Sequence, residues 1–387
     1  MIRRPVPLFV ALLLILPLTV GVAGAWSPED VRAILAERID EHEKSVGIAV
    51  GLIDDQGTTV VGYGKLGKTD EREPDGETVF EIGSISKVFT SILLADMVQQ
   101  GRVGLNDPVQ EFLPDSVRVP MRDDTEMTLY HLATHTSGLP RMPDNFAPAD
   151  PTNPYADYSV EQMYEFLSGA ELSGKPGAGA GALRSTVDDM LRFLAANLGL
   201  TESPISDAMQ DSHRRRQEFS GPQMHIGLGW IVRQGHGRTI HWHNGGTGGY
   251  HSFAGFDKER KKGVVVLSNS SNDIDDIGFH LLEPEFELTQ FKNATQAVDF
   301  DPERFDDYVG RYQLTPDFIL SVTRDGSRFF VQATGQGMLE VFPESETRFF
   351  ATAVEAAVSF VRGEDGKVSH LTLHQGGRNI PANRLED

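Results

Sequence analysis

The sequence predicts an α+β fold: an antiparallel sheet flanked by helices, followed by a small antiparallel β-barrel. Three observations predict it. Residues 27 to 268 run helix, hairpin, helices and then a strand meander, the order of an α+β domain. After about residue 290 the chain breaks into short strand-like runs joined by glycine turns. A length of 387 residues, 39% hydrophobic and 24% charged, suffices for two cores and argues against wholesale disorder.

The first helix opens at Ser27-Pro28-Glu29-Asp30, where Ser27 is an N-cap, Pro28 suits the first turn and Asp30 completes a capping box. Val31, Ile34, Leu35 and Ile39 then recur at helical spacing. Ser45 to Ile53 and Thr58 to Gly64 form a hairpin about the turn Asp54-Asp55-Gln56-Gly57. A second helix runs from Ser84 to Gln100 and ends on Gly101; Ile85, Val88, Phe89, Ile92, Leu93 and Met97 line one face. Residues 140 to 158 are rich in Pro, Asp and Asn and read as irregular, and a shorter helix follows from Ser185 to Leu198. Thr239 to His243, Tyr250 to Phe256 and Gly263 to Ser268 complete the meander. Tyr308 to Leu314, Phe318 to Arg324, Arg328 to Ala333, Met338 to Phe342, Ala357 to Arg362 and Ser369 to His374 are the six runs of the C-terminal part, with Asp325-Gly326 and Asp365-Gly366 as turns.

The formal charge is −21, which repels phosphate backbones and anionic membranes and excludes nucleic acid as an expected partner. Arg214 to Arg216 and Lys258 to Lys262 are the compact basic clusters, both read as solvated loops. There is no cysteine, so disulfides, thiolate metal sites and a cysteine nucleophile are all excluded. Residues 1–25 read as a signal peptide: Arg3 and Arg4 precede an apolar run, and Ala23-Gly24-Ala25 gives a small-x-small cleavage site. The competing reading is an uncleaved anchor, against which Pro5, Pro7 and Pro17 make a poor spanning helix. The expected protein is exported, periplasmic or secreted, with no stable membrane span after cleavage.

Chemistry concentrates in two places. Glu81-Ile82-Gly83-Ser84-Ile85-Ser86-Lys87 holds the one Ser-x-x-Lys of the chain. Ser84 stands at the first turn of a helix, where free N–H groups and the dipole favour a developing oxyanion. Lys87 faces the same side one turn on, and a lysine desolvated there can take the serine proton. The blander alternative is a capping serine and a surface lysine. The second place lies 159 positions later, at His243-Asn244-Gly245-Gly246, a strand end whose glycines present backbone N–H groups. Its alternative is an ordinary glycine turn.

Ser84-x-x-Lys87, Leu132-Ala133-Thr134-His135-Thr136-Ser137-Gly138-Leu139-Pro140, Gly181-Ala182-Leu183-Arg184-Ser185-Thr186 and the late His-x-Gly occur in order. Together they resemble the class C β-lactamase and penicillin-binding-protein family, with its D-Ala-D-Ala carboxypeptidase and esterase relatives, over residues 28 to 275. The 300s resemble a lipocalin-like domain that some members append. The resemblance implies a β-lactamase/transpeptidase-like fold and a serine hydrolase acting on peptide, β-lactam or ester carbonyls without a cofactor. It implies Ser84 as the acylated nucleophile, Lys87 as its proton partner and His243 in the place of the lysine of a Lys-Thr-Gly motif. The N–H groups of Ser84 and Gly246 would then form the oxyanion hole, with Gly245 beside it.

One family element is missing. A Tyr-x-Asn motif normally follows a Lys-Pro-Gly phrase, yet Gly174-Lys175-Pro176-Gly177 runs straight into Ala178-Gly179-Ala180-Gly181, and no Tyr-x-Asn occurs anywhere. An internal block near 177–182, with part of the helical subdomain, is therefore expected to be lost, at a cost to turnover of about 10²- to 10⁴-fold. Tyr155, Tyr158, Tyr164 and Tyr250 are the candidate substitutes, each also readable as a packing tyrosine. The expected organisation is a signal peptide (1–25), a hydrolase domain (26–290) and a C-terminal β domain (291–387). The rival to the enzyme is a non-catalytic ligand-binding protein of the same fold; a poorly folding truncated product is the third reading. A metal reading rests on His131 and His135 at i, i+4 and on His241 and His243, and lacks the glutamate of a metalloprotease motif. The expectation is a small-molecule or peptide substrate and no metal. Oligomeric state has no signal in the sequence.

Overall fold

A computed structural model of the chain describes residues 26–140, 142–150, 155–172, 181, 183–292, 294–315, 318–334, 336–354, 356–363, 366–375 and 378–385. The segment read as a signal peptide, and most of the junction where a block is expected to be lost, lie outside the described residues.

Helix α1 (Pro28–Ala36) starts as its capping box dictates, with the Ser27 hydroxyl accepting from the Asp30 N–H. Strands β1 (Gly47–Asp54) and β2 (Gly57–Gly64) form the hairpin. The short β3 (Phe80–Glu81) leads into a 3₁₀ turn, Gly83–Ile85, and then α2 (Ser86–Gln99). Helices α3 (Leu129–Ala133) and α4 (Val160–Gly169) flank the irregular stretch, and β4 (Arg184–Ser185) returns to pair with β3. Thr186 caps α5 (Val187–Leu198), Gly199 ends it in the left-handed region, and α6 (Ser206–Ser212) follows. The meander is β5 (Gln217–Glu218), β6 (Met224–Ile226), β7 (Ile231–Gly235), β8 (Arg238–Gly246), β9 (His251–Asp257) and β10 (Lys262–Ser268), closed by α7 (Asp275–Leu282).

These strands make one antiparallel sheet in the order β2-β1-β10-β9-β8-β7-β6-β5. Helices α2, α5 and α6 cover one face over Trp230, Phe256, Val265 and Leu267; α1 and α7 cover the other over Ile48, Val50, Val264 and Val266. Covered on both faces, β10 reads as the unbroken run Gly263-Val264-Val265-Val266-Leu267. No helix among the described residues is long and apolar enough to cross a membrane.

Two expectations need correction. Leu93 is 58% exposed, while Ser91 and Ala95 are buried. The turn at Gly229 lies so close to α2 that a Cβ there would sit 2.9 Å from the Ser91 hydroxyl, so that side of the helix admits only small residues. The basic clusters are not wholly solvated either: Arg216 pairs with Asp211 at 2.6 Å, and half-buried Lys258 donates to Gln210.

The C-terminal part is a closed barrel of eight strands in sequence order: β11 (Gly310–Thr315), β12 (Phe318–Asp325), β13 (Arg328–Ala333), β14 (Met338–Pro343), β15 (Arg348–Ala351), β16 (Ala356–Arg362), β17 (Val368–Gln375) and β18 (Arg378–Arg384). The sequence shows six of them. Strand β15 has only four residues, and β18 carries Pro381 and polar neighbours, so neither alternates clearly. Pairing of Tyr312 with Arg384 closes the barrel. Its interior is filled by Phe305, Tyr308, Phe329, Phe349 and Phe360, leaving about 70 Å³ lined by Leu320, Val331 and Leu373.

Candidate active site

The start of α2 and the end of β8 come together because two glycines allow it. Gly83 sits at φ +48°, in the left-handed region, and turns the chain from β3 into the helix. A Cβ on Gly83 would lie 2.8 Å from the Gly246 nitrogen. A Cβ on Gly245 would lie 2.7 Å from the Ser84 nitrogen and run into the Ile82 carbonyl. The backbone nitrogens of Ser84 and Gly246 thus both belong to a close backbone contact that excludes side chains.

Two serines fix this junction. Ser86 Oγ donates to the Gly83 carbonyl at 2.7 Å and accepts from the Leu183 N–H at 3.1 Å. Ser252 Oγ, on β9, donates to the Ile82 carbonyl at 2.9 Å. Sequence reasoning did not single out either. Ser86 lies inside the Ser-x-x-Lys stretch and was open to notice, whereas nothing local marks Ser252.

Ser84 is half-buried. Lys87, one turn on and only 8% exposed, donates to the Ser84 oxygen at 2.6 Å. The i, i+3 geometry of the helix start makes this contact. His243 is buried on the same face of the sheet, and its Nδ1 lies 2.5 Å from the Asn244 carbonyl. A carbonyl only accepts, so Nδ1 carries the proton and Nε2 holds a lone pair. That Nε2 is buried and has no hydrogen-bond partner among the described residues. Burial holds the His243 imidazole down at about 3, with the neighbouring His135 and Lys87 lowering it further. His135 stands edge-on to His243, ring centroids 6.1 Å apart. Burial, and then the charge of Lys87, depress His135 to about 4. Around neutral pH both imidazoles are uncharged beside the amine.

The five residues singled out from sequence, Ser84, Lys87, His243, Gly245 and Gly246, therefore lie at one junction. His135, noticed only as part of a longer motif, belongs there too. It is not on a helix face with His131: α3 ends at Ala133, and His135 adopts φ +57°. His131 Nδ1 instead accepts from the Thr128 N–H at 3.1 Å, so the i, i+4 metal pair does not form. None of the four candidate tyrosines is described in contact with Ser84. Tyr250 packs edge-on to Phe80, the Tyr158 hydroxyl donates to Asn145, and Tyr155 is 65% exposed. No described hydrogen bond joins any of the four to Ser84.

Residues 32–180 and 178–280 match the family model Beta-lactamase, two pieces that meet in the Gly-Ala run. The chain belongs to the beta-lactamase family. Residues 294–383 match a domain of unknown function (DUF3471). The D-alanyl-D-alanine-carboxypeptidase/endopeptidase AmpH of Escherichia coli (strain K12) is 34% identical over 162 residues, which take in 42% of this chain and 41% of AmpH. The match thus spans less than half the length of that relative. The Beta-lactamase of the same organism is 23% identical over 364 residues, drawing on 68% of this chain and 95% of the relative. In fold, this family member is similar to the Beta-lactamase/D-alanine Carboxypeptidase from Yersinia pestis complexed with citrate. The TM-score is 0.58 at 18% identity, over 68% of this chain and 99% of that one.

Proposed function

We propose that this chain is a serine hydrolase that forms an acyl-enzyme on Ser84 and acts on peptide, β-lactam or ester carbonyls. The observation that carries the reading is the buried Lys87 amine 2.6 Å from the Ser84 oxygen, facing a glycine-lined strand end. Lys87, in its unprotonated form, takes the Ser84 proton as the serine oxygen attacks the carbonyl carbon. The oxyanion settles between the Ser84 and Gly246 N–H groups. Collapse breaks the bond to the leaving group, which departs with the proton held by Lys87. Water then repeats the sequence on the acyl-enzyme and frees the acid, returning the proton to Ser84. His243 stands where the family has a cation, but as a neutral imidazole whose free Nε2 accepts a hydrogen bond instead of supplying charge.

Turnover is impaired in this reading, because the positioned tyrosine of the family is absent with its Tyr-x-Asn segment. Two observations support a lost block: the family match falls into two pieces meeting at 178–180, and the E. coli alignment is longer than the part of this chain it covers. The N-terminal segment supports export. The second reading, a non-catalytic binding protein, gains from the absence of a tyrosine on Ser84 among the described contacts. It does not gain from the barrel, whose interior is filled.

The test is mass-spectrometric detection of a covalent adduct on Ser84 after treatment with a fluorophosphonate or a fluorescent penicillin, with Ser84→Ala as control. An adduct accompanied by slow hydrolysis of a chromogenic ester is expected. No adduct at Ser84 sinks the enzyme. Labelling with hydrolysis as fast as an intact family member refutes the impairment.

A further inference from the structure

Lys87 and His135 also line a chamber of about 570 Å³, within the range of small-molecule sites. Lys87, His135 and Ser137 stand at its polar end. From there it follows α2 past Thr90 and Ser91 to Leu94, seven residues of helix or roughly 10 Å at 1.5 Å per residue. Leu113, Leu129 and Leu139 form its walls.

The roof is α4. Its sequence is amphipathic and its N-terminus carries a full capping box, yet none of its residues is fully buried. Met163, Phe166 and Leu167 face the chamber, and Met163 stays 38% exposed. A helix of this kind normally buries its apolar stripe against a core; here the stripe borders open space.

We propose that this chamber seats an apolar chain attached to the carbonyl that reacts at Ser84, so that the substrates are lipophilic esters or amides. The inference rests on the hydrolase reading for the chemistry, but the seat itself stands on shape and lining. Lys87 is the only Lys or Arg among the described lining residues and donates to Ser84, while His135 is neutral. A carboxylate or sugar deep in the chamber would therefore lose its hydration without a charged partner. A methylene chain loses nothing polar and gains about fourfold in binding for each fully buried CH₂.

The experiment compares ethyl and octyl fluorophosphonates on the full chain, reading the rate of adduct formation at Ser84. It adds cis-parinaric acid, a fluorescent fatty acid, as a binding probe on Ser84→Ala. Met163→Trp and Thr90→Phe fill the chamber from roof and floor, and thermal melts confirm that each variant folds. The octyl probe is expected to label about 10-fold faster or more, and either variant to erase that advantage together with parinaric acid binding. Equal labelling by both probes overturns the inference and leaves the hydrolase reading intact. Parinaric acid binding lost in both variants, with no adduct from either probe, upholds the seat and sinks the hydrolase. A dimer that Met163→Trp splits, with a flat chain-length profile, gives the α4 face to a second copy and overturns the proposal.

Discussion

Gly83 and Gly246 meet with no room for a side chain between them, a Cβ on the first lying 2.8 Å from the nitrogen of the second. The turn that carries Ser84 and the strand that carries His243 approach each other through this contact and its neighbour at Gly245.

Gly245→Ala is accordingly expected to separate the two. Its Cβ meets the Ser84 nitrogen and the Ile82 carbonyl, neither of which is a flexible side-chain end. Loss of one oxyanion donor costs about 10²- to 10³-fold. Adduct formation at Ser84 should slow by that order while circular dichroism stays unchanged. Full labelling in the variant would show that the contact does not shape the reactive site.

Lys87→Arg should fail as completely as Lys87→Ala. A guanidinium stays protonated at any working pH and accepts no proton from Ser84. Both variants should label about 10²- to 10⁴-fold more slowly. An active arginine variant would reduce Lys87 to a provider of charge.

Acid should destabilise the fold as the pH falls below about 6.5. Burial holds His135 and His241 at about 4, His243 at about 3 and His213 at about 2, against 6.5 in the unfolded chain. Below 6.5 the unfolded state therefore binds more protons, so stability is complete above that pH and falls as pH drops. The slope is at most about 1.4 kcal/mol per pH unit for each histidine. Asp275, pushed up to about 6 by burial, works the other way, as does the raised His251, but they are outnumbered. Urea melts between about pH 7 and pH 5 should show a falling midpoint. A level or rising midpoint would contradict the buried neutral histidines.

Arg38 and Asp276 form an ion pair at 2.5 Å that is almost fully buried between the end of the first helical segment and α7. Arg38→Ala strands the carboxylate and should cost about 3–5 kcal/mol, whereas replacing both with apolar residues should recover most of it. Denaturant unfolding of the single and double variants measures the difference. Equal loss in both would assign the effect to packing.

The barrel core should also be sensitive to a single truncation. Phe349 contacts Phe305, Tyr308, Phe329 and Phe360, so Phe349→Ala removes the centre of the cluster and should cost about 3–5 kcal/mol. A loss below about 1 kcal/mol would mean that the cluster repacks.

What the sequence determined by itself was whatever short-range chemistry dictates. The Ser27 box starts α1, Thr186 and Gly199 bound α5, the Gly57 hairpin sets β1 against β2, and Ser84 and Lys87 share a face because three residues make nearly one turn. The buried strand β10 was legible because a continuous apolar run has few other uses. Only the tertiary structure decided the remainder. Which side of α2, apolar on more than one face, is buried depends on how near Gly229 comes, and the barrel closes through β18, a strand with no alternation of its own. Burial by distant elements makes His135 and His243 neutral neighbours of Lys87, and the apolar chamber exists only because α4 is held over α2. Local pattern records what a residue can do with its near neighbours; burial, charge state and empty space arise where segments far apart in the chain meet.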